Sequence, residues 1–232
     1  PVMEPVKPAR FKEFPPDLAL FLTALAFESD SDRPVIETRR KLYGCWDTNG
    51  NGFLSLAEVD LGIKATLIGA LGTYEGDRLW KRYRKCYIRA YKDAADAAPD
   101  NHRMKGNMGK LLSDDDYVSR REFRLLFAYL RIYASWYEIF ALLDGGSEGI
   151  TIEDDDRIEE REWQDGFDLV KRASQTWAPF EALKSASKKE AFAQIDTNGG
   201  GFILLNEWCE WLKKAEKSAK SPDGELLGVG DA

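Results

Sequence analysis

Twelve consecutive residues constrain this chain more than any other stretch: Asp47-Thr48-Asn49-Gly50-Asn51-Gly52-Phe53-Leu54-Ser55-Leu56-Ala57-Glu58. Oxygen-bearing side chains stand at the first, third and fifth places, glycine at the sixth and glutamate at the twelfth. Side chains as short as Asp47, Asn49 and Asn51 converge on one point only if the backbone turns tightly around it. Gly52 supplies the positive φ that such a reversal takes. Phe53 would add its backbone carbonyl and keep its ring for a core. Ser55 can hold a water, and Glu58 can offer both carboxylate oxygens from the first turn of a following helix. Oxygens in this spacing suit a hard divalent cation. The competing explanation is a polar Asn-Gly turn between two helices, and the full ligand spacing argues against it.

This is the pattern of an EF-hand calcium loop, and a second copy runs from Asp196 to Glu207. Its opening, Asp196-Thr197-Asn198-Gly199-Gly200-Gly201-Phe202, repeats residues 47–53 except where Gly200 replaces Asn51, which points to an internal duplication. Asp196, Asn198, Gly200, Phe202 and Glu207 are the ligand positions of this copy. Gly200 has no side-chain oxygen to give, and Leu204 cannot hold the water that Ser55 can. Either water fills the gaps at some loss of affinity, or the hand is kept for packing.

EF-hands pair through a short ladder between their loops, so each good loop needs a partner. For the first, Tyr117-Val118-Ser119 and Glu122-Phe123 look like the second half of a hand, but Leu111 falls at the first ligand position and Asp116 at the turn glycine. For the last, Asp144 to Asp155 carries the turn residue Gly149, with Gly146 a poor third ligand and Asp155 one carbon too short to close it. If Glu162-Trp163 begins the true exit, that loop contains an insertion. We expect both partners to be metal-free.

Apolar periodicity places helices around these loops. Asp17 stands at a helix cap before an apolar stretch to Phe27, and Pro34 opens a helix to Trp46. Further helices are expected over 56–71 and 77–98, with a break at 72–76 and a loop over 99–109. Residues 119–143 are expected to hold a pair of helices, followed by one helix over 159–173 and a last pair over 188–219. No strand-length alternation persists. The expected fold is all-α: four EF-hand-like helix-loop-helix units in two pairs, with short inter-loop β ladders. The expected divisions are a Pro-rich lead-in and accessory helix (1–32), an N-terminal pair (33–130), a C-terminal pair (131–220) and a polar tail (221–232).

Composition narrows the function. The formal charge of −7 and pI of about 5.0 argue against nucleic-acid binding, which needs a dense positive surface. Three scattered cysteines form neither a disulfide framework nor a zinc site, so buried thiols in a reducing, cytoplasmic setting are expected. No apolar run approaches the length of a membrane span, and no glycine stands where N-myristoylation would need it. Membrane association would therefore require a lipidated N-terminus upstream of Pro1. The lone His102 lies on a polar loop, no nucleophile–base pair or phosphate loop appears, and no enzyme is expected. The acidic runs 114–116 and 153–156 read as solvated faces.

Two well-spaced loops and two degraded ones identify an EF-hand superfamily protein over most of residues 34–215. Within it the chain resembles the flagellar calcium-binding proteins of kinetoplastids, the calflagins. The resemblance rests on the order of the hands, the long insert after the first loop, and Arg121-Glu122-Phe123-Arg124-Leu125-Leu126 leading to Tyr137-Glu138-Ile139-Phe140 and Asp144. It implies a calcium sensor, held at the flagellar membrane by N-terminal acyl groups. The leading expectation is a calcium sensor or adaptor for a protein partner. With three methionines, a promiscuous Met-rich groove is not expected and a fixed partner is. The alternatives are a structural interaction protein with unresponsive hands, or a calcium buffer. The oligomeric state is left open.

Overall fold

The computed structural model describes residues 14–25, 33–97, 104–105, 111–112, 117–144, 156–176, 181, 183 and 186–229. The chain divides into two compact units. One comprises Pro16–Ala134 with Leu226–Ala232, and the other comprises Ser135–Glu225 with Pro1–Pro15.

The first unit begins with α1 (Pro16–Ala24) and α2 (Arg33–Trp46). Pro16 is itself the first helical residue, so Asp17 sits inside the first turn of α1 rather than at its cap. Its carboxylate instead takes two hydrogen bonds of 2.7 Å from the Arg78 guanidinium, with Arg82 at 3.4 Å. These bonds from Arg78 hold the Asp17 carboxyl below its usual range against the opposing pull of burial. Leu18, Phe21 and Leu25 are fully buried, and the Phe21 ring lies 4.1 Å from that of Tyr83.

After β1 (Phe53–Leu54), helices α3 (Leu56–Leu71) and α4 (Thr73–Ala95) form a tight hairpin. The expected break at 72–76 shrinks to Gly72 alone, at φ 84°. The helices approach so closely that a Cβ on Gly76 would lie 2.6 Å from the Ile68 backbone. Val59, Ile63 and Leu67 of α3 meet Leu79, Tyr83, Cys86, Tyr87 and Ala90 of α4 at or near zero exposure. The apolar spacing that marked α4 is the stripe it buries. Part of the segment read as loop pairs instead, with β2 (Met104–Lys105) antiparallel to β3 (Leu111–Leu112). Leu111, placed by its sequence at a first ligand position, lies opposite Lys105.

Next come β4 (Val118–Ser119) and α5 (Phe123–Asp144), which supplies residues to both units. The expected pair of helices over 119–143 is a single helix. No glycine or proline interrupts it, and it is apolar on nearly every face because almost every side chain is buried. Its length and composition would suffice to cross a membrane, yet 78% of its most apolar window is buried inside the fold, which marks it as a core helix.

The second unit adds β5 (Arg157–Glu159), α6 (Glu160–Ala173), α7 (Lys188–Ile195), β6 (Phe202–Leu204), α8 (Leu205–Ala219) and most of α9 (Pro222–Leu227). Trp163 and Trp208 meet edge to face at 6.2 Å, fully buried. Their indole N–H groups donate to the carbonyls of Lys188 (2.8 Å) and Trp136 (3.0 Å), which satisfies the polar end of each large ring. The expected polar tail contains α9. Ser221 is buried, and Gly224 packs where a Cβ would overlap the Glu216 carbonyl. Cys86 and Cys209 are buried as expected, whereas Cys45 is exposed.

Candidate metal centres

The loop Asp47–Glu58 joins α2 to α3 and is drawn closed by its own side chains. Asp47 accepts from the backbone N–H of Asn51 (Oδ1, 3.1 Å) and of Gly52 (Oδ2, 2.9 Å). Asn49 Oδ1 accepts from Asn51 N–H at 2.9 Å, and Asn51 Oδ1 from Phe53 N–H at 2.8 Å. These bonds hold three oxygen-bearing side chains inside one turn, made by Gly50 and Gly52 at φ 66° and 82°. Across the turn, Glu58 Oε1 accepts from Asn49 Nδ2 (2.8 Å) and the Thr48 hydroxyl (3.1 Å), so the third and twelfth places touch.

Glu58 serves the helix as well as the loop. Its Oε2 accepts from the Ser55 N–H (3.0 Å) and hydroxyl (2.8 Å), while Ser55 Oγ accepts from Glu58 N–H, which completes a capping box for α3. Ser55, expected to hold a water, is thus also the helix cap. Burial pushes the Glu58 carboxyl up, but the hydrogen bonds from Ser55, Thr48 and Asn49 outweigh it and hold the group ionised below the usual range.

The loop is also tied to its surroundings. The Tyr43 hydroxyl donates to the Gly52 carbonyl at 2.6 Å, and burial together with the Asp47 charge pushes its pKa up to about 12. The Trp46 ring covers Gly62 on α3, where a Cβ would overlap it, and its indole donates to Thr66 Oγ1 at 3.2 Å. Tyr43 and Trp46 each meet Phe123 edge to face at 5.2 Å. From the strand side, the Tyr91 hydroxyl donates to the Leu54 carbonyl at 3.0 Å.

The loop Asp196–Glu207 repeats this geometry with fewer supports. Asp196 accepts from Gly200 and Gly201 N–H at 3.0 Å each, and Gly201 takes φ 82°. Glu207 Oε1 accepts from Asn198 Nδ2 (2.9 Å) and the Thr197 hydroxyl (2.9 Å), and Oε2 from Leu204 N–H (3.0 Å). Gly200 leaves the fifth place without a side-chain oxygen, and a Cβ there would lie 2.6 Å from Asn198 Oδ1.

The ladders fix the register of the other two hands. Leu54 pairs with Val118, and Ile203 with Ile158, so the eighth place of each loop meets the eighth of its partner. Counting on four residues reaches Glu122 and Glu162. Both behave as Glu58 does: Glu122 Oε2 accepts from Ser119 N–H at 2.6 Å, and Glu162 Oε2 from Glu159 N–H at 2.8 Å. The third loop therefore closes at Glu162 and not at Asp155. Its twelve-residue frame begins at Thr151 rather than Asp144, and Asp156 stands at the glycine position with φ 57°. The signal was present in the sequence: Ile158, Glu162 and Trp163 repeat the spacing of Ile203, Glu207 and Trp208. The remainder of that loop, residues 145–155 beyond the end of α5, lies outside the described residues.

Among the described residues no three His, Cys, Asp or Glu side chains are grouped to hold an ion. Each good loop has two carboxylates, and its other donors are amide and carbonyl oxygens. That all-oxygen set fits a hard cation such as calcium and does not fit zinc. Asp47, Asn49, Asn51, Glu58 and the Phe53 carbonyl would hold it in the first loop. Asp196, Asn198, Glu207 and the Phe202 carbonyl would hold it in the last.

Comparison with known proteins agrees. Residues 25–130 match the FCaBP EF-hand domain, which spans the first two hands. Over 207 residues, 89% of the chain, it is 26% identical to three flagellar calcium-binding proteins of Trypanosoma brucei brucei. It covers 81% of TB-24, 77% of TB-1.7G and 44% of TB-44A. Residues 25–130 thus match a known EF-hand domain, and over most of its length the chain is distantly similar to the trypanosome flagellar calcium-binding proteins.

Proposed function

We propose that this protein binds calcium at Asp47–Glu58, and more weakly at Asp196–Glu207, and reports the occupancy of the first loop to a protein partner. The observation that carries this reading is the position of Glu58. One carboxylate faces the ligand side chains, caps α3 and acts by its charge on Tyr43 of the aromatic cluster, so a cation that draws on Glu58 acts on all three. With two carboxylates in each loop, the negative charge offered to the ion is low for a calcium loop, which suits reversible response better than tight storage.

The test is tryptophan emission and binding of an apolar dye, each measured with and without calcium in wild type and in Glu58→Gln. A calcium-dependent change in both signals, lost in the variant, is the expected result. A second reading has its own support: α3 is capped and its core face is packed by groups of the chain itself, so in this reading calcium would stiffen the loop and move nothing. It expects a higher melting temperature from ligand linkage with no dye binding. By likeness to proteins named for the flagellum, we place the chain in a flagellar or cytoplasmic setting. Imaging a tagged chain in trypanosomes checks this, and diffuse cytoplasmic signal would exclude the flagellum.

A further inference from the structure

In the first unit, a cavity of about 390 Å³ opens between α2 and the start of α5. Four arginines line it: Arg39 and Arg40 from α2, and Arg120 and Arg124 from the turn after β4 and the first turn of α5. Its apolar part is Tyr43, Phe123 and the half-exposed Ile36. On α2 the spacing of Ile36, Arg40 and Tyr43 puts all three on one helix face.

This grouping of charge runs against the rest of the molecule. The chain carries a net charge of −7, yet four guanidinium groups share one hollow. Among the described residues Arg40, Arg120 and Arg124 have no ion-pair partner, whereas Arg78 of the same unit is held by two carboxylates. Guanidinium groups crowded into one hollow repel one another, and an anion bound among them would relieve that repulsion. Guanidinium forks converging from two rigid elements match the oxygens of a phosphate or carboxylate, each bonded twice.

We propose that this cavity docks an acidic segment of a partner protein, taking a phosphoryl or carboxylate group against the arginines and an adjoining apolar side chain against Phe123 and Ile36. A protein segment suits the site better than an anionic bilayer. The site is recessed and part aromatic, its cations are arginines carried on two helices and the adjoining turn rather than a lysine-rich run, and the net negative chain is repelled by an anionic surface. The pocket stands on its own geometry. Only its link to calcium rests on the sensor reading, through Tyr43, whose ring lines the cavity and whose hydroxyl holds the Gly52 carbonyl.

The experiment uses the full chain and fluorescence anisotropy. The probe is a fluorescein-labelled peptide with one phosphoserine between glutamates and a leucine beside it. Controls are the unphosphorylated acidic peptide, a neutral peptide with serine and glutamines, and phosphatidylcholine vesicles with and without phosphatidylserine. The phosphopeptide should bind about tenfold or more tightly than the neutral one, and Arg40→Gln with Arg124→Gln should remove about that factor. Both arginines are exposed, so circular dichroism and calcium titration of this variant should match wild type. Arg40→Lys with Arg124→Lys, which keeps charge and loses the fork, should fall between. Equal binding of all peptides, or an unchanged Gln variant, overturns the pocket. So does binding to phosphatidylserine vesicles that is lost in the Gln variant while no peptide binds. Peptide binding indifferent to calcium supports the pocket and fails the sensor reading. A calcium-dependent dye response without peptide binding does the reverse.

Discussion

The loops Asp47–Glu58 and Asp196–Glu207 share six of their first seven residues, yet they are built into their surroundings differently. In the first, the fifth residue is Asn51, whose oxygen takes the Phe53 N–H; in the last, Gly200 offers Phe202 no such acceptor. Four residues before the first loop stands Tyr43, with its hydroxyl on the Gly52 carbonyl. At the same offset before the last loop stands Phe192, which packs as well but has nothing to donate. Glu58 is buried at 8% exposure, while Glu207 remains half-buried. The same ligand code thus yields one loop braced from three sides and another braced mainly by itself. Affinity should follow the bracing as much as the ligands.

The strongest test of that contrast is to remove the shared element. Glu58→Gln takes away a charge and a charge-assisted bond at once, and calorimetry should show the first site weakened on the order of a hundredfold while the last is unchanged. Equal weakening of both sites would mean that the loops are coupled and the contrast is not local.

A smaller effect should come from repairing the weaker loop. Gly200→Asn restores a side-chain oxygen. The nearest obstacles are the tip of Asn198 at 2.6 Å and the Phe202 ring at 3.2 Å, and the first can swing aside. Calcium affinity at the last site should rise by about three- to tenfold, as for one added ligand bond. No change would place the deficit in the missing brace instead.

Smaller still, Tyr43→Phe removes the hydroxyl bond to Gly52 and should weaken the first site by about three- to fivefold, in line with one hydrogen bond of ~1 kcal/mol. Phe192→Tyr should strengthen the last if its ring reaches the equivalent carbonyl, which isothermal titration of the pair would read.

The smallest effect is on acid sensitivity. The Glu58 carboxyl is held below its usual range, so its contribution to the metal-free fold is full above the ordinary carboxylate value. That contribution is lost only as pH falls through the lowered one. Metal-free melting curves of wild type and Glu58→Gln should differ near neutrality and converge in acid. A gap that persists in acid would trace it to shape rather than charge.

Much of this was legible in the residues because EF-hand loops are local: ligands, turn glycine and capping glutamate lie within twelve positions. The third hand was legible only in part: Ile158, Glu162 and Trp163 mark its exit in the sequence, but its frame is fixed by Ile158 lying against Ile203 forty-five residues away, a pairing that forms only with the ladder. The single helix α5 was misjudged because its length exceeds the usual run, and an all-round apolar surface reads the same for one buried helix as for two. The tail helix depends on Gly224 fitting against the Glu216 carbonyl, a tertiary contact with no periodic trace. Gly62 has low helix propensity, yet in α3 it makes room for the Trp46 ring, and packing overrides propensity there.

The capping role of the closing glutamates bears on how quickly and how tightly an ion can be taken up. A glutamate on a helix surface wanders among many rotamers, and freezing it costs up to ~2 kcal/mol. Glu58 is held in place by Ser55, Thr48 and Asn49 of its own loop, so folding itself orders the side chain. That ordering penalty has been met by folding and is absent from the binding step, a gain of about an order of magnitude in affinity. Glu122 and Glu162 are immobilised in the same way by Ser119 and Glu159. A hand can therefore lose its other ligands to mutation and still begin its second helix in the right place, which lets a duplicated chain shed ion sites one at a time without unravelling.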